Sequence, residues 1–417
     1  MPADLFLGLD IGTSGARAVV IDGAGVALAS GKAAMADHGA DPRDPRTWAA
    51  AAATALEEVL ARIDRARIAA LCVDGTSGTL LALDAGGVPL GAALMYNDAS
   101  PDADAVAAIA AMAPATSAAH GATSGLAKAM ALRARAPARI VHQADWIASL
   151  FSGRIASDAN NALKSGYDPL ACRWPDWIDR LGFDRALLPE VAEPGTPAGA
   201  VTARAAKSFG LPEGARIVAG TTDGCASFLA TGASQPGDGV TALGTTLTLK
   251  LLSDRPIFAP DYGLYSHRIL GRWLAGGASN TGGGVLLHFF PADEMDRLTP
   301  RLDPDVPTGL DYYPLIRPGE RFPLADPDFP PRLEPRPSDR ARFLQGLLEG
   351  IANVEALGYR RLAMLGAPPL KSVRSVGGGA KNPAWAKIRA ARLGVPMREA
   401  AADEAAYGAA LLARMAR

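Results

Sequence analysis

Only three of the 417 residues are cysteine. Cys72, Cys172 and Cys225 are odd in number, far apart and form no Cys-x-x-Cys pair, which argues against a disulfide or zinc framework and fits reduced thiols in a cytosol. Cys225, beside Gly224, reads as a small packed residue rather than a reactive thiol. Charge of one sign is also lacking. With 42 basic and 43 acidic residues the formal charge is -1, so nothing electrostatic draws the chain to nucleic acid or to an anionic membrane. The one uncharged stretch long enough to span a bilayer, residues 105–127, contains Pro114, Thr116, Ser117, His120, Gly121, Thr123 and Ser124. That is too polar for a span, and it reads as helix, turn and loop. The stretch Met1-Pro2-Ala3-Asp4-Leu5-Phe6-Leu7-Gly8-Leu9-Asp10 has no basic region and closes on an acid, unlike a signal peptide, so a cytoplasmic location is expected. The five histidines are isolated, and no His-Glu-x-x-His or other metal cluster occurs. Neither a GxxxxGK[ST] loop nor a strict GxGxxG occurs; Gly237-Asp238-Gly239-Val240-Thr241-Ala242 fits only the relaxed dinucleotide pattern and precedes a strand instead of following one.

What is present is the composition of a folded enzyme, 49% hydrophobic and 20% charged. Since single cores stop growing at roughly 250–300 residues, two domains with a cleft between them are expected. Periodicity predicts a buried strand over 5–10, a glycine-bearing turn, a returning strand over 16–22 and a third over 26–30. Asp44-Pro45 then caps a helix whose apolar face is Trp48, Ala52, Leu56, Val59, Leu60 and Ile63. An apolar strand over 68–73 runs into the polar sequence Asp74-Gly75-Thr76-Ser77-Gly78. The second half repeats this plan with a strand over 240–243, a Gly244-Thr245-Thr246 tip and a returning strand over 247–252, which points to an internal duplication. Residues 310–336, rich in proline and aromatics, read as a long irregular excursion. Ser338-Asp339 caps a further helix; a strand over 373–379, a helix from Pro383, a short strand near Val395 and a helix after Asp403 close the chain.

The glycine turns carry the chemistry. Terminal phosphates are held by backbone N–H groups on tight turns, with small hydroxyls beside them and a carboxylate to place Mg²⁺. Asp10-Ile11-Gly12-Thr13-Ser14-Gly15 supplies all three, although an ordinary hairpin turn has the same residue types. A second tip, Gly244-Thr245-Thr246, would grip the same phosphate chain from the other side of a cleft. Gly377-Gly378-Gly379-Ala380-Lys381-Asn382 lies between strand and helix, where bare backbone admits a flat base; the competing reading is a plain turn. The glycines of 276–284 cap the nucleotide or hinge the domains. Asp223, in Gly220-Thr221-Thr222-Asp223-Gly224 before an apolar helix, is a candidate base for deprotonating a sugar hydroxyl and equally a candidate N-cap.

Taken in order, Gly8-Leu9-Asp10-Ile11-Gly12-Thr13-Ser14, Gly220-Thr221-Thr222-Asp223, Leu243-Gly244-Thr245-Thr246 and Gly377-Gly378-Gly379-Ala380-Lys381-Asn382 resemble the FGGY carbohydrate kinases. The resemblance spans nearly the whole chain. It implies an α/β fold of two actin-like (ribonuclease H-like) domains around a central cleft, 1–228 mainly for sugar and 229–417 mainly for nucleotide. It implies ATP and Mg²⁺ as cofactors, Asp223 as catalytic base, and Asp10 near both the sugar and the magnesium-bound phosphates. Gly12, Thr13 and Ser14 match the phosphate loop, Thr13 with a part in catalysis, while Gly244, Thr245, Thr246, Gly378, Gly379 and Asn382 match nucleotide contacts. Ser77 and Asp98 are candidate sugar contacts, although the arginine that often follows this aspartate in the family is absent from Asn97-Asp98-Ala99-Ser100. Val73-Asp74-Gly75-Thr76-Ser77-Gly78-Thr79, Tyr96-Asn97, Gln143-Ala144-Asp145-Trp146, Asn161-Ala162-Leu163-Lys164 and Leu310-Asp311-Tyr312-Tyr313-Pro314-Leu315 look like the D-ribulose kinase group of cyanobacteria and plants. The Gln-Met-His-Gly sequence typical of xylulokinases is missing where Asp74 to Gly78 stand. D-Ribulose is therefore the expected substrate, with D-xylulose next and, from another class, an actin-like ATPase without a sugar.

Overall fold

The computed structural model describes residues 4–416; Met1, Pro2 and Ala3, which open the N-terminal stretch read above, and Arg417 lie outside the described residues. The opening strand Leu5–Ile11 is buried along its whole length, because both faces of a central strand are covered. It pairs antiparallel with Gly15–Ile21, which pairs antiparallel with Ala27–Ala34. The third strand runs beyond the expected Ser30, since its register continues to Gly15 opposite Ala34. Asp44 accepts from the Arg46 amide and Pro45 occupies the first turn of the helix Pro45–Leu60, as its capping chemistry predicts. This helix is the crossover that returns the chain to Ile68–Gly75, laid parallel beside the opening strand. Arg216–Thr222 adds a further parallel strand and Pro197–Ala200 the antiparallel edge.

The same plan recurs later. Asp238–Leu243 pairs antiparallel with Leu247–Ser253, which pairs antiparallel with Arg272–Ala278. Beyond the helix Arg340–Met364, the strand Ser372–Val376 lies parallel to Asp238–Leu243, and Met397–Arg398 is parallel in turn. Three antiparallel strands followed by parallel ones occur in both halves, so the duplication read from the tips extends to the topology. Residues 310–336 hold only isolated bridges, such as Tyr313 with Arg332.

The chain divides into two compact units. One is Met1–Ala230 with His267–Gly271 and Glu404–Arg417; the other is Thr231–Ser266 with Arg272–Asp403. A single break at 228/229 does not contain this interleaving. The last helix, Ala405–Met415, packs against the opening strand and against Asp223–Ala230. Gly8 makes that approach possible, for a Cβ there would lie 1.9 Å from the Ala406 carbonyl oxygen. Among the described residues no helix is long and apolar enough to cross a membrane.

Candidate active site

In the first unit three carboxylates sit at the ends of three neighbouring parallel strands. Register places Asp10 beside Asp74 and Asp74 beside Thr221, two residues before Asp223. Strand ends in parallel sheets are where α/β folds bind ligands, because side chains there leave the core without breaking a ladder. Asp10 and Asp74 are both buried. Arg17 reaches Asp10 Oδ2 at 3.3 Å, whereas Asp10 Oδ1 and both Asp74 oxygens lack a partner when the groups are treated as ionised. Two ionised carboxylates offer only lone pairs. Burial pushes Asp74 well up, and the charges of Asp10 and Asp223 push the same way. Protonated Asp74 then donates to Asp10. Burial raises Asp10 also, opposed by that hydrogen bond and by Arg17. Of the coupled pair Asp74 is raised the further, so the proton is favoured there and the charge on Asp10.

Asp223 is the first residue of its helix and half-buried; its Oδ1 accepts from the Gly224 amide at 2.6 Å. Its support comes from a buried polar segment. Asp158 Oδ1 accepts from the Asn160 and Asn161 amides, and Asn160 Nδ2 donates to Thr221 Oγ1 at 2.8 Å and to the Arg268 carbonyl at 2.7 Å. Burial, aided by the Asp145 charge, pushes Asp158 up to about 6.

Gly12, Thr13 and Ser14 form the hairpin tip immediately after Asp10, closed by Gly12 N–H to the Gly15 carbonyl at 3.0 Å, with Thr13 and Ser14 exposed. Ser77 rides on the turn after Asp74. That turn is pinned where Gln143 Oε1 accepts from the Thr76 amide and hydroxyl and Thr79 Oγ1 accepts from the Tyr96 amide. Asp98 is engaged by the protein itself: Arg43 grips both its oxygens at 3.1 and 2.6 Å, and the Met95 amide donates to Oδ2. These bonds hold its carboxyl below the usual range. Arg43 lies 55 residues earlier in the chain, a partner that no local pattern reveals.

In the second unit a pocket of ≈ 580 Å³ is lined by Gly244, Thr245, Gly378, Gly379 and Asn382, with Leu286, Leu287 and Trp385 among its apolar walls. Apolar walls with few polar groups suit a flat base. Thr246 is exposed on the same tip but is not part of this lining. Asn382 caps the helix Pro383–Leu393 through the Trp385 amide and donates to Thr299 Oγ1 at 3.1 Å. Gly282 belongs to the glycines of 276–284. At its φ of +143° a Cβ would stand 2.7 Å from the Thr245 carbonyl oxygen, so only glycine lets this segment back the 244–246 tip. The described residues contain no group of three or more His, Cys, Asp or Glu arranged to hold a metal ion. Asp10 Oδ1, buried and not engaged by Arg17, is the oxygen that fits a hydrated Mg²⁺.

Sequence reasoning missed Asp74, Arg17, Arg43, Lys128 and Lys164. Asp74 alone had a local signal, an acid closing an apolar strand in the manner of Asp10.

Residues 239–417 match the family model described as FGGY family of carbohydrate kinases, C-terminal domain. Similar curated proteins are the autoinducer-2 kinases of Yersinia enterocolitica, 32% identical over 293 residues, and of Yersinia pestis, 31% identical over the same length. Each alignment covers 64% of this chain and 55% of the relative, so the chain spans about half the length of the curated relatives it matches. Among solved structures, a xyloylose kinase from Brucella ovis superposes with a TM-score of 0.86 at 24% identity, over 99% of this chain and 90% of that one. Plasmodium falciparum glycerol kinase with ADP gives 0.83 at 15%, over 99% and 89%. These likenesses establish the fold, the two-domain α/β architecture of the sugar kinases.

Proposed function

We propose that this chain is an ATP-dependent sugar kinase converting D-ribulose to D-ribulose 5-phosphate, a reading supported by the match of residues 239–417 to the model of the FGGY carbohydrate kinase C-terminal domain. The observation that carries the reading is the row of Asp10, Asp74 and Asp223 at adjacent strand ends, next to the Gly12–Ser14 tip. Asp223 accepts the proton of the terminal hydroxyl; that oxygen forms its bond to the γ-phosphorus in line as the bond to the bridging oxygen breaks, and ADP departs. Thr13 and Ser14 offer hydroxyls, and the tip its amides, to the phosphoryl oxygens. Mg²⁺, when bound through water near Asp10, supplies charge neutralisation. Asp74, kept neutral, holds Asp10 in place without adding a second repelling charge. The pocket at Gly378, Gly379 and Asn382 takes the nucleotide base.

The named relatives favour a second reading, an autoinducer-2-type substrate. ADP release with Mg-ATP is measured with D-ribulose, D-xylulose, the autoinducer, glycerol or no sugar. Stimulation by D-ribulose above the others supports the first reading. Preference for D-xylulose or the autoinducer keeps the mechanism and replaces the substrate; sugar-independent turnover would make the chain an actin-like ATPase.

A further inference from the structure

Beside the three carboxylates the turn of residues 76–79 gathers an unusual excess of hydrogen-bond donors. Lys128 is fully buried, with Nζ donating to the Gly78 carbonyl at 2.8 Å and the Tyr96 carbonyl at 3.1 Å. An ammonium has three hydrogens, so one remains to be placed. Lys164, half-buried, reaches the Ser77 carbonyl at only 3.5 Å, with its stem against Gly78. The Ser77 hydroxyl is buried without a partner. Burial, and after it the nearby charge of Lys164, brings Lys128 down to about 8. Asp98, the acid that acts on Lys128, is already gripped by Arg43. Two cations and a hydroxyl therefore face one turn without a carboxylate of their own.

We infer that Ser77, Lys128 and Lys164 form a specificity site for an acceptor-only oxygen of the substrate, the carbonyl oxygen of an open-chain ketose. This deepens the kinase reading and rests on it. In a 2-pentulose the oxygen on C5 is the one that closes the ring onto C2. Transfer of phosphate to that oxygen requires the open chain, which leaves the C2 carbonyl free at the other end of the molecule. A ketone has lone pairs and no hydrogen, and an ammonium has hydrogens and no lone pair, so the two are complementary. An alditol places a hydroxyl there instead, whose own hydrogen neither ammonium group can accept, leaving only the Ser77 oxygen to take it. Sites built around such a complement reject the analogue that leaves it unmatched. A carboxylate is the other acceptor-only group, and an aldonate tests for it.

Lys128 is buried, so Lys164→Met and Ser77→Ala carry the test, with Lys164→Arg as the conservative control and thermal melts to show that each variant is folded. Steady-state rates are measured with D-ribulose, ribitol and D-ribonate at saturating Mg-ATP. The expected result is a wild-type preference for D-ribulose over ribitol. In K164M and S77A the KM for D-ribulose rises roughly 10- to 100-fold, as for loss of a charged or buried hydrogen bond. The KM for ribitol stays level, and K164R recovers part of the preference. An unchanged ribulose-to-ribitol ratio in folded K164M and S77A, with wild-type activity on D-ribulose intact, overturns this inference alone. Wild-type preference for D-ribonate replaces the ketone by a carboxylate and also overturns it. Absence of stimulation by any of these compounds overturns the inference together with the ketopentose reading.

Discussion

Asp158→Asn tests the buried polar support behind Asp223. Asp158 is fully buried, and its carboxyl is raised from an ordinary 3.8 to about 6. A raised carboxyl stabilises the fold only where it is protonated in both states. Stability contributed by the group is therefore full below pH 3.8 and is lost as pH rises through about 6. At ~1.36 kcal/mol per pH unit the difference between folded and unfolded chains comes to about 3 kcal/mol at neutral pH. About 2 kcal/mol of this develops between roughly pH 4.5 and 7.5. Asparagine keeps the Oδ1 that accepts from the Asn160 and Asn161 amides. The other oxygen accepts from Asn161 Nδ2, and Asn161 can turn its amide to offer its own unpartnered Oδ1 to the new NH₂. The variant therefore loses a buried charge while retaining its bonds. Guanidinium unfolding of both proteins across that pH range isolates the effect, because the other groups titrate in both. The expected outcome is that D158N gains about 2 kcal/mol relative to the parent as pH rises over this range. A difference independent of pH, or one growing toward acid, refutes the burial argument.

Three further outcomes follow from the geometry. Asp223→Asn should lower kcat by roughly 10²- to 10⁴-fold with the fold intact, as expected for loss of a positioned base; near-normal sugar-dependent ADP release would remove Asp223 from that role. Glu355→Ala should cost about 3–5 kcal/mol in denaturant unfolding. It strands Arg389, whose guanidinium meets Glu355 at 2.6 and 2.7 Å with both side chains 1% exposed, and it leaves the Thr241 hydroxyl with Tyr359 alone as partner; a cost below about 1 kcal/mol would show that the pair is solvated. Gly282→Ala should weaken ADP binding measured by calorimetry, since a Cβ displaces the Thr245 carbonyl; unchanged affinity would separate the 244–246 tip from the nucleotide pocket.

Local chemistry was legible from the residues. The hairpin at 12–15, the caps at Asp44 and Asp339, and the repeated Gly-Thr tips each depend on a handful of consecutive positions, so their patterns survive in one dimension. Asp10 and Asp223 stood out for the same reason, as acids on turns at strand ends. The irregular run over 310–336 was equally visible, because proline removes the donors that strands and helices need.

Pairings across distance were not visible. Asp74 meets Asp10 through the parallel register of two strands joined by a long connection, and that pairing is written in neither strand taken alone. Arg43 and Asp98, Lys128 and the Gly78 carbonyl, and Lys164 and the Ser77 carbonyl join residues 50 to 87 positions apart. Nor does the sequence announce that Ala405–Met415 returns to the opening strand at Gly8. The sequence by itself determined which turns present N–H groups, hydroxyls and carboxylates, since backbone conformation there answers to neighbours in the chain. The tertiary structure decided which of those groups share a desolvated space, and therefore which carboxyl keeps its proton and which cations stay without a carboxylate of their own, because burial and Coulomb energies depend on distance in space.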